Sequence, residues 1–202
     1  MGTNEPQERP AETAGKVFRA ALSEALRVFE SLRHLENEVN TAAVVSLESL
    51  KAGGKLVLCG NGGSAAEAQH LAGELMGRYK GNRRSWPAVA INADSVTMSC
   101  IGNDYSFEEV YARQVEGICR PGDVLIVFST SGNSPNIIRA LEAARRQSVR
   151  SVGFFGNQGG KAAEITDVPI CVAHKDTARI QEAHQFLLHA LMDALEPELA
   201  LV

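Results

Sequence analysis

Five short apolar runs alternate along this chain with longer segments of helical periodicity, and no other feature limits the fold so strongly. The runs are Lys55–Cys59, Ala88–Ile91, Val124–Phe128, Ser151–Phe155 and Val168–Val172, each bounded by Gly, Pro, Asp or Asn. Short, continuous apolar runs with such borders read as buried strands. Between and after them, helical patterns are expected over 64–79, 106–119, 135–147 and 177–195. Strands that are apolar on both faces and separated by helices imply an α/β fold, a doubly wound parallel sheet flanked by helices.

Two helical stripes come before the first strand. Phe18, Ala21, Leu22, Ala25, Phe29 and Leu32 recur at three and four between Lys16 and Arg33. A second stripe runs through Val39, Ala42, Ala43, Leu47 and Leu50 and is stopped by Gly53-Gly54. Nothing later in the chain is set aside to cover them, so they are expected to pack on the α/β body or on another subunit. Residues 1–14 lack periodicity and read as a mobile tail. Residues 15–202 read as one domain that includes both helices.

The charge balance narrows the function classes. Twenty basic residues against 24 acidic ones give a net charge of −4. A nucleic-acid binder is expected to be strongly basic, so no nucleic-acid partner is expected. No apolar run approaches the ~18 residues of a membrane span, and Met1–Pro10 has no signal-peptide pattern. Cys59, Cys100, Cys119 and Cys171 are scattered, with no metal or redox spacing. They read as reduced thiols in a cytoplasmic protein.

Ligands of such sheets bind beyond the carboxyl ends of the strands, where loops enter helix N-termini. Two of these loops are unusual. Gly60-Asn61-Gly62-Gly63-Ser64 follows one strand, and Ser129-Thr130-Ser131-Gly132-Asn133-Ser134 follows another. Both combine free backbone N–H groups, hydroxyls and a positive helix end, which makes a phosphate site without Lys or Arg. The first loop also fits the dinucleotide fingerprint G-x-G-x-x-A, but that motif calls for an acid about 20 residues later. The acid at the end of the next strand, Asp94, comes too late, and the hydroxyl loop has no role in such a site. Four hydroxyls in six residues suit a terminal phosphate monoester.

His70 and Glu74 stand at i and i+4 on the helix that starts near Ser64 and share one face. A later helix carries Gln181, His184, Gln185 and His189. Gln181 and His189 are eight residues apart, about 80° offset on an ideal helix, and can line one groove. Imidazoles, a carboxylate and an amide suit a divalent metal, zinc by preference, and equally a general base and acid. Spacing alone does not join His70 to His189. A lone helical histidine, such as His34, His174 or His184, reads first as an ordinary core or surface residue.

CGNGGSAAEAQHLAGELMGRY, Gly102-Asn103-Asp104, STSGNS and ARIQEAHQFLLH together resemble the sugar isomerase (SIS) domain family, and within it the bacterial phosphoheptose isomerases. The resemblance spans Lys16 to Leu195. It implies a five-stranded SIS fold, a homotetramer with sites at subunit interfaces, and cytoplasmic work in nucleotide-activated heptose synthesis. The implied reaction converts sedoheptulose 7-phosphate to D-glycero-D-manno-heptose 7-phosphate. By motif position, Ser129, Thr130, Ser131 and Ser134 would hold the phosphate. Asn61, Gly62, Gly63 and Ser64, with Asn103 and Asp104, would line the substrate. His70, Glu74, Gln181 and His189 match the family's zinc ligands, one Zn2+ per subunit, and Glu74 and His189 its acid–base pair. A non-enzymatic relative that binds the replication initiator DnaA lacks the counterparts of Glu74 and His189 and reads STRGNS; this chain has both residues and Ser131. One departure is Ala178, where some isomerases carry an Asp; Asp176 lies nearby.

Overall fold

The computed structural model describes residues 10–201, with side chains from residue 12. Helix α1 (Pro10–Ser31) is followed by a 3-10 turn and α2 (Glu36–Lys51). The α/β body then runs β1 (Leu56–Gly60), α3 (Gly63–Met76), β2 (Ala88–Ala90), α4 (Ser95–Asp104), α5 (Ala112–Ile118), β3 (Val124–Ser129), α6 (Pro135–Arg146), β4 (Arg150–Gly156), α7 (Gly160–Ala163), β5 (Val168–Val172) and α8 (Thr177–Leu199). All neighbouring strands are parallel, in the order β2-β1-β3-β4-β5. The doubly wound five-stranded sheet expected from the sequence is the one found.

Side chains alternate across each strand, and the sheet therefore separates two cores. Leu56, Leu58, Ile126, Phe128 and Phe154 point into a layer shared with α2, α3 and α8. Val57, Cys59, Leu125, Val127 and Phe155 point into the opposite layer, built largely from α5 and α6. Burial holds the Cys59 thiol far above its ordinary pKa and lifts Cys119 to about 11. All four cysteines are free.

Three expectations need correction. Helix α1 begins at Pro10, so the expected tail 1–14 ends earlier; residues 1–9 lie outside the described residues. The helix expected over 106–119 is a 3-10 turn at Phe107–Glu109 followed by the shorter α5. An additional helix, α4, takes in Gly102-Asn103-Asp104, which had no place in the helical pattern. Ile101 is its single buried residue, so its sequence shows almost no apolar stripe. Its start is marked instead by Asp94, whose carboxylate accepts from the N–H groups of Val96 and Thr97. That capping role also accounts for the acid considered in the dinucleotide pattern.

Helix α2 packs on the sheet, whereas α1 packs on α8 and enters the core only near its end. Val28 is buried, whereas Phe18 and Leu26 are 67% and 63% exposed. The apolar stripe read in the sequence thus faces outward along much of α1.

Candidate active site

In this strand order β1 and β3 are neighbours from which the chain winds in opposite directions, the position where open α/β sheets bind ligands. Both singled-out loops leave from there. Asn61 and Asn136 tie them together: each side-chain amide donates to the other's carbonyl oxygen, at 2.9 and 2.8 Å. The Tyr111 hydroxyl adds a bond to the Gly60 carbonyl. The Asn61 amide is therefore held against the first turn of α6, a role its motif position did not reveal.

Serine hydroxyls hold the turn of the second loop from within. Ser129 Oγ accepts from Gly132 N at 3.1 Å, and Ser131 Oγ accepts from Asn133 N at 3.2 Å. Gly132 has φ +62°, and a Cβ there would sit 1.8 Å from the Gly159 carbonyl oxygen, so only glycine fits. The loop after β4 supports this turn: Ala162 N donates to Gly132 O, and Lys161 N donates to Asn133 Oδ1. Ser134 precedes Pro135 at the start of α6, and its hydroxyl makes no capping bond. A cleft of about 230 Å³ results, lined by Asn61, Gly63, Ser64, Ser129, Thr130, Ser131, Ser134 and Gln181 among others.

Gly63 and Gln181 also border a second cleft, with His70 and Gln185. A Cβ on Gly63 would lie 2.2 Å from Gln181 Nε2, so glycine lets α8 bring this amide against α3. Beside this cleft the imidazole cluster assembles. His70 Nε2 is 3.0 Å from Glu74 Oε1, and His189 Nε2 is 3.5 Å from that same oxygen. The two Nε2 atoms are 3.4 Å apart. Gln185, which the sequence placed on this helix without a role, brings its Nε2 to His70 Nδ1 at 3.1 Å and to His189 Nε2 at 3.2 Å. The structure thus brings together His70, Glu74 and His189, with Gln181 a turn before Gln185 on α8.

This donor set fits a metal ion. One ligand atom from each of His70, Glu74 and His189 falls within 4.8 Å of the others, and imidazole with carboxylate suits zinc. The other Glu74 oxygen, Oε2, is buried without a hydrogen-bond partner, an acceptor that a cation would satisfy.

Two expected substrate residues lie elsewhere. Asn103 and Asp104 are exposed at the end of α4, Asn103 Nδ2 bonded to Asp104 Oδ1 at 2.8 Å, and neither lines these two clefts. Asp176 caps α8 by accepting from Ala178 N and Arg179 N at 2.8 and 3.3 Å. Those bonds hold its carboxyl below the usual range.

Known proteins share both the sequence and the architecture. A family model described as the SIS domain matches residues 18–156. A phosphoheptose isomerase of Geotalea daltonii is 48% identical over 175 residues, covering 86% of this chain and 91% of that protein. One from Nitratiruptor sp. is 46% identical over 170 residues, with 84% and 89% covered. The solved phosphoheptose isomerase GmhA from Neisseria gonorrhoeae superposes with a TM-score of 0.87 at 39% identity, over 91% of this chain and 99% of that one. A phosphoheptose isomerase from Francisella tularensis gives 0.88 at 29%, over 91% and 98%. The chain belongs to the SIS domain family, in its phosphoheptose isomerase branch.

Proposed function

We propose that the chain is an aldose–ketose isomerase that converts sedoheptulose 7-phosphate to D-glycero-D-manno-heptose 7-phosphate. The observation that carries this is the convergence of Glu74, His70 and His189 beside a hydroxyl-lined loop suited to a phosphate monoester. In this reading the 7-phosphate meets the hydroxyls of Ser129, Thr130, Ser131 and Ser134 and the amides at the start of α6. Glu74 removes a proton from C1, next to the C2 carbonyl, while His189 gives a proton to the carbonyl oxygen; a cis-enediol forms. His189 then takes the proton from the C1 oxygen as Glu74 returns its proton to C2, which completes the aldose. Each group serves once as acid and once as base, so the net transfer needs no other reactant.

His70, Glu74 and His189, with Gln181 as fourth ligand, would hold one Zn2+ per subunit. When bound, the ion would supply positive charge against the developing enediolate oxygens. In the same reading the protein works in the cytoplasm, consistent with its four free thiols. It assembles as a homotetramer, supported by the outward-facing apolar stripe of α1.

The decisive experiment incubates the protein with sedoheptulose 7-phosphate, with and without a chelator, and identifies the products. Formation of the heptose 7-phosphate, lost on chelation and restored by Zn2+, is expected. Binding without turnover would move the protein to a non-catalytic role, as a sugar-phosphate binder or a partner of DnaA.

A further inference from the structure

The segment between α3 and β2 contains no helix or strand, yet one carboxylate grips it. Glu196, near the end of α8, accepts from the backbone N–H groups of Tyr79, Lys80 and Gly81 at 3.1, 2.8 and 2.8 Å. It also accepts from Arg83 Nε at 3.2 Å, and the two side chains are 8% and 1% exposed. The Arg83 guanidinium reaches onward to α3, donating to the carbonyls of Glu74 at 2.6 Å and Leu75 at 2.9 Å. These carbonyls lie in the last turn of α3, where helix partners run out. At the other end of the gripped segment the Tyr79 ring stacks on His189, with centroids 5.7 Å apart and planes 22° apart. One ion pair thus touches the backbone of Glu74 directly and the ring of His189 through Tyr79.

We propose that Arg83 and Glu196 are positioning residues that hold Glu74 and His189, which stand on different helices, at their working separation. Neither side chain belongs to the imidazole cluster, so they act through α3 and through Tyr79. A buried ion pair is a poor source of net stability, because desolvating both charges offsets most of their attraction, whereas its directional bonds fix geometry. Here those bonds end on the backbone of one proposed catalytic residue and behind the ring of the other.

The catalytic consequence rests on the isomerase reading, so the test carries a readout independent of turnover. Full-length Glu196→Gln keeps the shape and loses the charge. Its kcat is expected to fall about 10–100-fold, with KM within about threefold of wild type. The His189 ring-proton resonance, identified by its absence in His189→Ala, is expected to shift. Tyr79→Ala should reproduce both effects, and Tyr79→Phe, which keeps the ring, should restore them. Wild-type kcat with an unmoved His189 resonance in Glu196→Gln and Tyr79→Ala would overturn the proposal. So would an activity loss that only follows unfolding in thermal melts. If Glu196→Gln does not fold, the Tyr79 pair decides. If the wild type does not turn over the sugar phosphate but the resonance still responds, the isomerase reading falls and the clamp stands.

Discussion

Glu74 presents one carboxylate oxygen to two imidazoles and buries the other without a partner, which places this side chain for the proton transfer and metal binding proposed for it. Glu74→Gln preserves its shape and removes its basicity. Turnover is expected to fall about 10²–10⁴-fold, and His189→Ala to cost as much, while the assembly state is unchanged. Steady-state kinetics beside sedimentation check this; near-normal turnover in either variant removes that residue from the mechanism. Glu196 makes a different prediction. Burial works to raise its pKa, but the amides of Gly81, Lys80 and Tyr79 and the charge of Arg83 outweigh burial and hold it below the ordinary range. A carboxyl with a depressed folded pKa contributes stability that is fully present above its unfolded pKa, about 4.3, and lost as pH falls through the folded value. Wild type should therefore exceed Glu196→Gln in urea stability by most near pH 7, and the gap should narrow as pH falls below about 4.3.

At the scale of elements, helices α3 and α8 carry the site, and their parts were unequally legible. The i, i+4 spacing put His70 and Glu74 on one face from sequence alone. The step from His70 to His189 crosses 119 residues, and only the resemblance joined them in advance. Asn136 stayed unnoticed, and Gln185 was placed on its helix without a role, because an amide in a helix has no periodic signature; what distinguishes them is the partner each meets in the folded chain. Strands β1, β3 and β4 were plain because both faces are buried. Helix α4 was hidden because one residue of its ten is buried, leaving the Asp94 cap as its only mark. The approach of α3 to α8 depends on Gly63, whose missing side chain makes room for the Gln181 amide. Gly63→Ala would push that flexible amide aside without breaking the helix. Zn2+ affinity and kcat/KM are each expected to drop about 10–100-fold with the far-ultraviolet circular dichroism unchanged; calorimetric titration of the metal alone separates the two. Unaltered metal affinity would show that the Gln181 amide has no part in the site.

For the whole molecule, the sheet explains where the candidate site is, and α1 carries the surface on which the proposed assembly can be tested. Reversal of winding between β1 and β3 opens the crevice, and the hydroxyl loop and the α3 loop are its two lips. No bulk positive charge is needed there, which reconciles a net charge of −4 with an anionic substrate. Outside this body α1 exposes Val17, Phe18, Leu22 and Leu26 along one helix. A run of large apolar side chains of this kind is the mark of a surface that meets another protein. A groove of about 530 Å³ continues it, lined by Leu26, Phe29, Val39 and Phe186 among others. If copies of the chain associate through this stripe, as the proposed homotetramer requires, charges placed on it should separate them. The double variant Phe18→Asp, Leu22→Asp alters exposed positions only and should leave each subunit folded. Sedimentation is expected to show a smaller species than wild type at equal concentration. Turnover should fall with it, because sites shared between subunits are lost on dissociation. A wild-type sedimentation coefficient for this variant would exclude the α1 stripe from the subunit interface, and a dissociated but fully active variant would place each site within a single chain.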